Sequence, residues 1–128
     1  MKIVGTGVDI IDNSRIKKSI LNNSFLNRIF TKDEILISKK KINKISYFAK
    51  RFAAKEAFAK SLGTGFRKGF NFKDISVVND KLGKPSFLIN KKIRLLIKKE
   101  YKINSFNFFL SISDEKKYSI AFVIFQKQ

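Results

Sequence analysis

At 128 residues the chain is long enough for one hydrophobic core and short for two domains. A hydrophobic content of 44% is that of an ordinary globular protein, and no apolar run approaches the roughly 18 residues of a spanning helix. Lys and Arg total 28 against ten acids, a net charge of +18, so a nucleic acid, an acidic protein or a polyphosphate all fit as partners.

Residues 2–11 read as a strand interrupted by Gly5 and Gly7 and ending in Val8-Asp9-Ile10-Ile11. From Asp12 to Leu21, Ile16 and Ile20 sit four apart among Arg15, Lys17 and Lys18, which predicts a short basic amphipathic helix. Thr31-Lys32-Asp33-Glu34 has the form of a capping box and opens a second helix through Ile35 and Leu36. The strongest helical signal runs from about Ile45 to Leu62, rich in alanine, with Gly63 as its left-handed cap and a basic loop from Phe66 to Gly69 beyond. Asp74 to Val78 and Ser86 to Ile89 flank the turn Asn79-Asp80-Lys81-Leu82-Gly83-Lys84-Pro85 and predict a hairpin. Asn90 caps a helix to about Tyr101. Two alternating strands follow, one through Phe106, Phe108, Leu110 and Ile112, the other through Tyr118, Ile120, Phe122 and Ile124. Together these predict a single α+β domain over 1–128, an antiparallel sheet packed against a long helix.

The chemistry is narrowed by two absences. With no cysteine, disulfides and thiolate metal sites are excluded; with no histidine either, zinc is disfavoured and any metal falls to the carboxylates, which suits magnesium. Asp9, at a strand end beside two glycines, either caps the next helix or faces a site. Glu56 projects from a helical side shared with Ala49, Phe52, Ala53, Ala59 and Lys60, so it either pairs with Lys60 at i,i+4 or holds a metal. Arg51, Lys55 and Lys60 lie on adjacent faces, and Gly63-Thr64-Gly65 with Arg67-Lys68 extends a cationic region. Arg15, Arg28, Arg51, Arg67 and Arg94 are the five arginines among 28 bases, few for a protein reading bases with arginine forks. A basic nucleic-acid-binding module stays as the rival reading, and no targeting segment follows Met1-Lys2-Ile3-Val4-Gly5, so the cytoplasm is expected.

The motifs combine into a known pattern. Gly5-Thr6-Gly7-Val8-Asp9-Ile10, the helix Arg51-Phe52-Ala53-Ala54-Lys55-Glu56-Ala57-Phe58-Ala59-Lys60, Leu62-Gly63-Thr64-Gly65, Phe72-Lys73-Asp74-Ile75, the turn 79–85, and Ser111-Ile112-Ser113-Asp114 with Tyr118 occur in order along essentially the whole chain. In this the chain resembles the holo-[acyl-carrier-protein] synthases, the small bacterial type of 4'-phosphopantetheinyl transferase. The resemblance implies that Asp9 and Glu56 bind Mg2+, and that Arg51, Lys55, Lys60, Gly63, Thr64 and Gly65 lie near the phosphates of coenzyme A. It implies transfer of 4'-phosphopantetheine to a serine of an acidic acyl carrier protein, in lipid biosynthesis, with Asp9, Glu56 and Lys60 as the catalytic set. Lys60 would steady the leaving phosphate, and the base would be Glu56 or a metal-polarised water. It further implies a homotrimer with active sites at subunit boundaries, no specific nucleic acid and no membrane. Arg15, Lys18 and Arg28, with Phe25 and Leu26, are the expected carrier contacts. Phe109 stands where many relatives have histidine, either stacking on a neighbouring group or packing at an interface.

Overall fold

The computed structural model describes residues 1–63 and 69–128. Strand β1 (Lys2–Asp12) leads into three short helices, α1 (Asn13–Ser19), α2 (Asn23–Ile29) and α3 (Lys32–Ser38), then the long α4 (Lys44–Ser61). A 3₁₀ turn (Phe72–Asp74) precedes the hairpin β2 (Ile75–Asn79) and β3 (Pro85–Ile89), followed by α5 (Lys91–Tyr101), β4 (Phe106–Asp114) and β5 (Tyr118–Lys127). The strands form two antiparallel sheets, β1-β5-β4 and β2-β3. The α+β architecture expected from the residues is therefore present, with the hairpin as a sheet of its own.

The predicted helix ends are chemical ones. Thr31 accepts from the Glu34 amide at 3.2 Å while Glu34 accepts from the Thr31 amide at 2.9 Å, which completes the capping box of α3. Asn90 takes the Ile93 amide at 3.0 Å and opens α5. The hairpin turn is held by Asp80, whose Oδ1 accepts from Leu82 and Lys84 at 2.9 Å each. Helix α2 was not expected as a separate element; its mark is Asn22, which caps it through the Ser24 amide at 2.8 Å.

Gly5 and Gly7 do not interrupt β1, which pairs with β5 along its length apart from one register shift between Ile3 and Gly5. They let α4 lie directly on the strand. A Cβ at Gly5 would stand 2.0 Å from the Ser61 carbonyl oxygen, and one at Gly7 would stand 1.9 Å from that of Ala57. The facing helix is lined by Ala49, Ala53 and Ala57, all fully buried, and β5 answers with Ala121 and Val123. Around this close contact the larger side chains fill two clusters. One gathers Phe30, at the end of α2, with Tyr47 and Phe48 of the first half of α4. The other surrounds Phe58, where Phe108 stacks on Phe125 at 4.6 Å.

Candidate functional site

On β1, two residues beyond Gly7, the Asp9 side chain falls beside the second half of α4. Lys60 reaches back from that helix and donates to Asp9 Oδ1 at 3.2 Å and to the Val8 carbonyl at 3.0 Å. The capping alternative for Asp9 does not apply, since Asp12 caps α1 by accepting from the Ser14 amide at 2.9 Å. Nor is Lys60 engaged with Glu56 in the simple helical pair; its bonded carboxylate is Asp9.

Asp9, Glu56 and Lys60 are thus brought together. Burial pushes the Asp9 carboxyl above its ordinary range, against the pull of Lys60. Glu56 is pushed up first by burial and second by the negative charge of Asp9, against Lys60 and Arg15. Two half-buried carboxylates lie side by side and repel one another, with Lys60 bonded to one and Arg15 near enough to act on both, an oxygen pair suited to a cation. No third carboxylate, histidine or cysteine joins them among the described residues. Two hard oxygen ligands fit a magnesium ion that keeps water and takes phosphate oxygens in its other positions.

Arg51 and Lys55 are placed elsewhere. Arg51 lies five residues before Glu56, about 140° around the helix. Its guanidinium covers the Tyr47 ring at 3.7 Å and donates to Asn79 Oδ1 at 2.7 Å. Its Nε is buried without a partner among the described residues, at a cavity of about 570 Å³ walled also by Lys41, Lys50, Lys81 and Asp114. Lys55 is wholly buried. Its ammonium donates to Glu34 at 2.6 Å, the Ile29 carbonyl at 2.9 Å and the Phe72 carbonyl at 3.1 Å. All three donors are spent, so the expectation that Lys55 touches a coenzyme A phosphate does not fit this interior position. Burial pushes its pKa down against the attraction of Glu34. Removing one member of such a pair costs about 3–5 kcal/mol, because the other charge is left unmet. Gly63 ends α4 with φ +76°, as a left-handed cap; Thr64, Gly65, Arg67 and Lys68 lie outside the described residues.

A second surface feature adjoins the carboxylates. Phe25, Arg28 and Ile29 of α2, Phe52 of α4 and the stretch 70–72 line an apolar groove of about 350 Å³. Phe52 precedes Glu56 by one helical turn on the same face. Phe25 and Arg28, expected as carrier contacts, lie here with Phe52, expected only on the Glu56 side of the helix, four residues before it.

A sequence profile of the 4'-phosphopantetheinyl transferase superfamily matches residues 5–123. The chain belongs to that superfamily. It is 63% identical to the holo-[acyl-carrier-protein] synthase of Pelagibacter ubique over 128 residues, 100% of both chains. The crystal structure of the Neisseria meningitidis holo-[acyl-carrier-protein] synthase is similar with TM-score 0.88 and 39% identity, covering 98% of this chain and 100% of that one. The Bacillus anthracis synthase in complex with coenzyme A (3',5'-ADP) is similar with TM-score 0.81 and 35% identity, over 98% of each chain.

Proposed function

We propose that the chain works as a holo-[acyl-carrier-protein] synthase in which Asp9 and Glu56 hold a magnesium ion. It transfers the 4'-phosphopantetheine moiety of coenzyme A to a serine hydroxyl of apo-acyl carrier protein, in the cytoplasm. The serine oxygen bonds to the β-phosphorus and the bond from that phosphorus to the bridging oxygen breaks. Holo-carrier and adenosine 3',5'-bisphosphate result. The observation that carries this reading is the mutually repelling, half-buried pair Asp9 and Glu56 beside Lys60.

The bound ion would supply neutralisation of pyrophosphate charge. Lys60, more than half exposed, is free to swing its ammonium from Asp9 to the leaving phosphate. Glu56, whose carboxyl burial and the Asp9 charge push above its ordinary range, would accept the serine proton, directly or through water. Exposed Arg15 and Lys18 on α1 and Arg28 beside the groove suit an acidic carrier. Arg15 is close enough for its charge to lower both Asp9 and Glu56, so a carrier on α1 lies next to the reacting centre.

Arg51 enters this reading through assembly. The carboxylates sit by β1, one edge of the main sheet, and the Arg51 cavity takes Ile112 and Asp114 from β4, the opposite edge. The outer face of that sheet exposes Val8, Ile10, Phe109, Ile120 and Phe122, a contiguous apolar surface that asks for burial. Three copies packed face to axis would set the β1 edge of one protomer against the β4 edge of the next, making each site from two protomers. Phe109, half exposed on that face, then packs at the interface. Phe122→Asp should convert a particle of about three chain masses into monomers and abolish transfer, read by light scattering and carrier mass. A variant that keeps the wild-type particle mass would refute this packing.

The reaction itself is tested by incubating the chain with coenzyme A and apo-carrier and weighing the carrier. Phosphopantetheine addition should stop on chelation and return with Mg2+. Addition untouched by chelator would remove the metal from the mechanism; no addition at all would remove the transferase reading.

A further inference from the structure

The Lys55–Glu34 pair is the most deeply buried charge in the described residues, with side-chain exposures of 0% and 2%. An apolar side chain of equal length would fill the space without the desolvation, so the pair's distinguishing property is geometric. Five segments meet on it. Lys55 brings α4, and its ammonium takes the Ile29 carbonyl at the end of α2 and the Phe72 carbonyl of the 3₁₀ turn. Glu34 Oε1 accepts from the Thr31 amide that starts α3, and Oε2 accepts from the Val77 amide of β2 at 2.9 Å.

Ile29 and Phe72 are the point of interest. Both line the apolar groove, Ile29 from α2 and Phe72 from the 3₁₀ turn, together with Phe52 of α4. Phe52 stacks on Phe72 at 5.8 Å and touches Phe25 at 6.0 Å, so the groove's width follows the separation of the carbonyls that Lys55 grips. Glu56 follows Lys55 directly on α4 and lies one turn beyond Phe52. The same ammonium therefore sets where the groove sits relative to the reacting centre.

We propose that Lys55, locked by Glu34, is a positioning residue that holds the groove open and in register with Glu56 for the acyl carrier protein. This rests on the reading above that the groove receives the carrier. Lys55 touches neither coenzyme A nor the serine; it acts on Ile29 and Phe72, which shape the surface.

The test varies carrier and coenzyme A independently in steady state, for Lys55→Met, Lys55→Gln and the double variant Glu34→Gln/Lys55→Met, with thermal melts to establish folding. In each folded variant that loses the ammonium, KM for the carrier should rise about tenfold, the scale of one interface anchor, while KM for coenzyme A stays within about twofold. Lys55→Gln, which keeps amide donors for the two carbonyls, should recover part of the loss. The double variant, with no unmatched charge, should melt higher than Lys55→Met yet keep the raised carrier KM. An unchanged carrier KM in a folded Lys55→Met or double variant overturns the proposal, as does an equal rise for both substrates. Failure of all three variants to fold also overturns it, marking the pair as structural alone. Arg28→Glu, on the exposed rim, separates the two levels. If it leaves carrier KM untouched, the groove reading falls and the proposal with it. If it raises carrier KM while the folded Lys55 variants do not, only the positioning role falls.

Discussion

Glu56→Gln is expected to slow carrier modification about a thousandfold while making the metal-free protein more stable. On the proposed metal role, the loss follows from exchanging a hard anionic oxygen for a neutral amide that binds a divalent ion weakly. The gain in stability follows from the sign of the pKa shift. Burial and the charge of Asp9 hold the folded Glu56 carboxyl above its ordinary value. The folded state then binds the proton more tightly than the unfolded chain, so stability falls as pH rises between the unfolded and folded values. Above the folded value the whole penalty is present, and at neutral pH the amide removes it. A gain of about 1 kcal/mol would raise the melting temperature by about 3–5 °C for a chain of this size. Melts in chelator and carrier mass measurements read the two effects. A near-normal rate would sink the ligand assignment, and a lower melting temperature at neutral pH would sink the electrostatic account.

Gly7→Ala should be the most damaging single-methyl change on β1. The new Cβ would stand 1.9 Å from the Ala57 carbonyl oxygen and 2.8 Å from the Ser61 amide, both backbone atoms of α4 that no rotamer can move. The helix has to lift from the sheet. We expect about 3 kcal/mol of destabilisation, at the upper end of ordinary overpacking. Because Asp9 rides on β1 and Glu56 on α4, lifting the helix also parts the two carboxylates. Activity in whatever protein remains folded should fall at least about a hundredfold, as expected for a misplacement near 1 Å. Gly63→Ala provides the contrast. Among the described residues nothing lies within 4 Å of a Cβ there, and the strain comes from φ +76°, so a cost of about 1 kcal/mol is expected. Gly7→Ala with a wild-type melting curve would mean that the sheet and helix are not in the intimate contact described.

Local chemistry was the legible part of this chain. The Thr31–Glu34 box, the Asn90 cap, the alanine-rich α4, its Gly63 terminus and the hairpin around Asp80 are all decided within a few residues, and each stands where the residues predict it. The candidate site was legible only as motifs. Lys60 looked equally suited to Glu56 four residues away and found Asp9 51 residues away. Lys55 looked like a surface cation among others because its partner Glu34 is 21 residues distant. Long-range pairing leaves no local trace.

The β5 strand shows the division most clearly. Its alternation announces a strand with two unlike faces, but hydrophobicity would send Tyr118, Ile120 and Phe122 inward. The structure buries Ser119, Ala121 and Val123 instead. Where α4 lies closest, opposite Gly7 and Asp9, the inward positions hold the small Val123 and Ala121, and Tyr118, Ile120 and Phe122 face outward, towards the surface we propose for neighbouring copies. Sequence determined which segments are helix or strand and which residue types are available for hard-metal chemistry, because those depend on neighbours in the chain. Which face is inside, which cation meets Asp9 and which carboxylates meet depended on the distance between α4 and β1, a distance that exists only after the chain has folded.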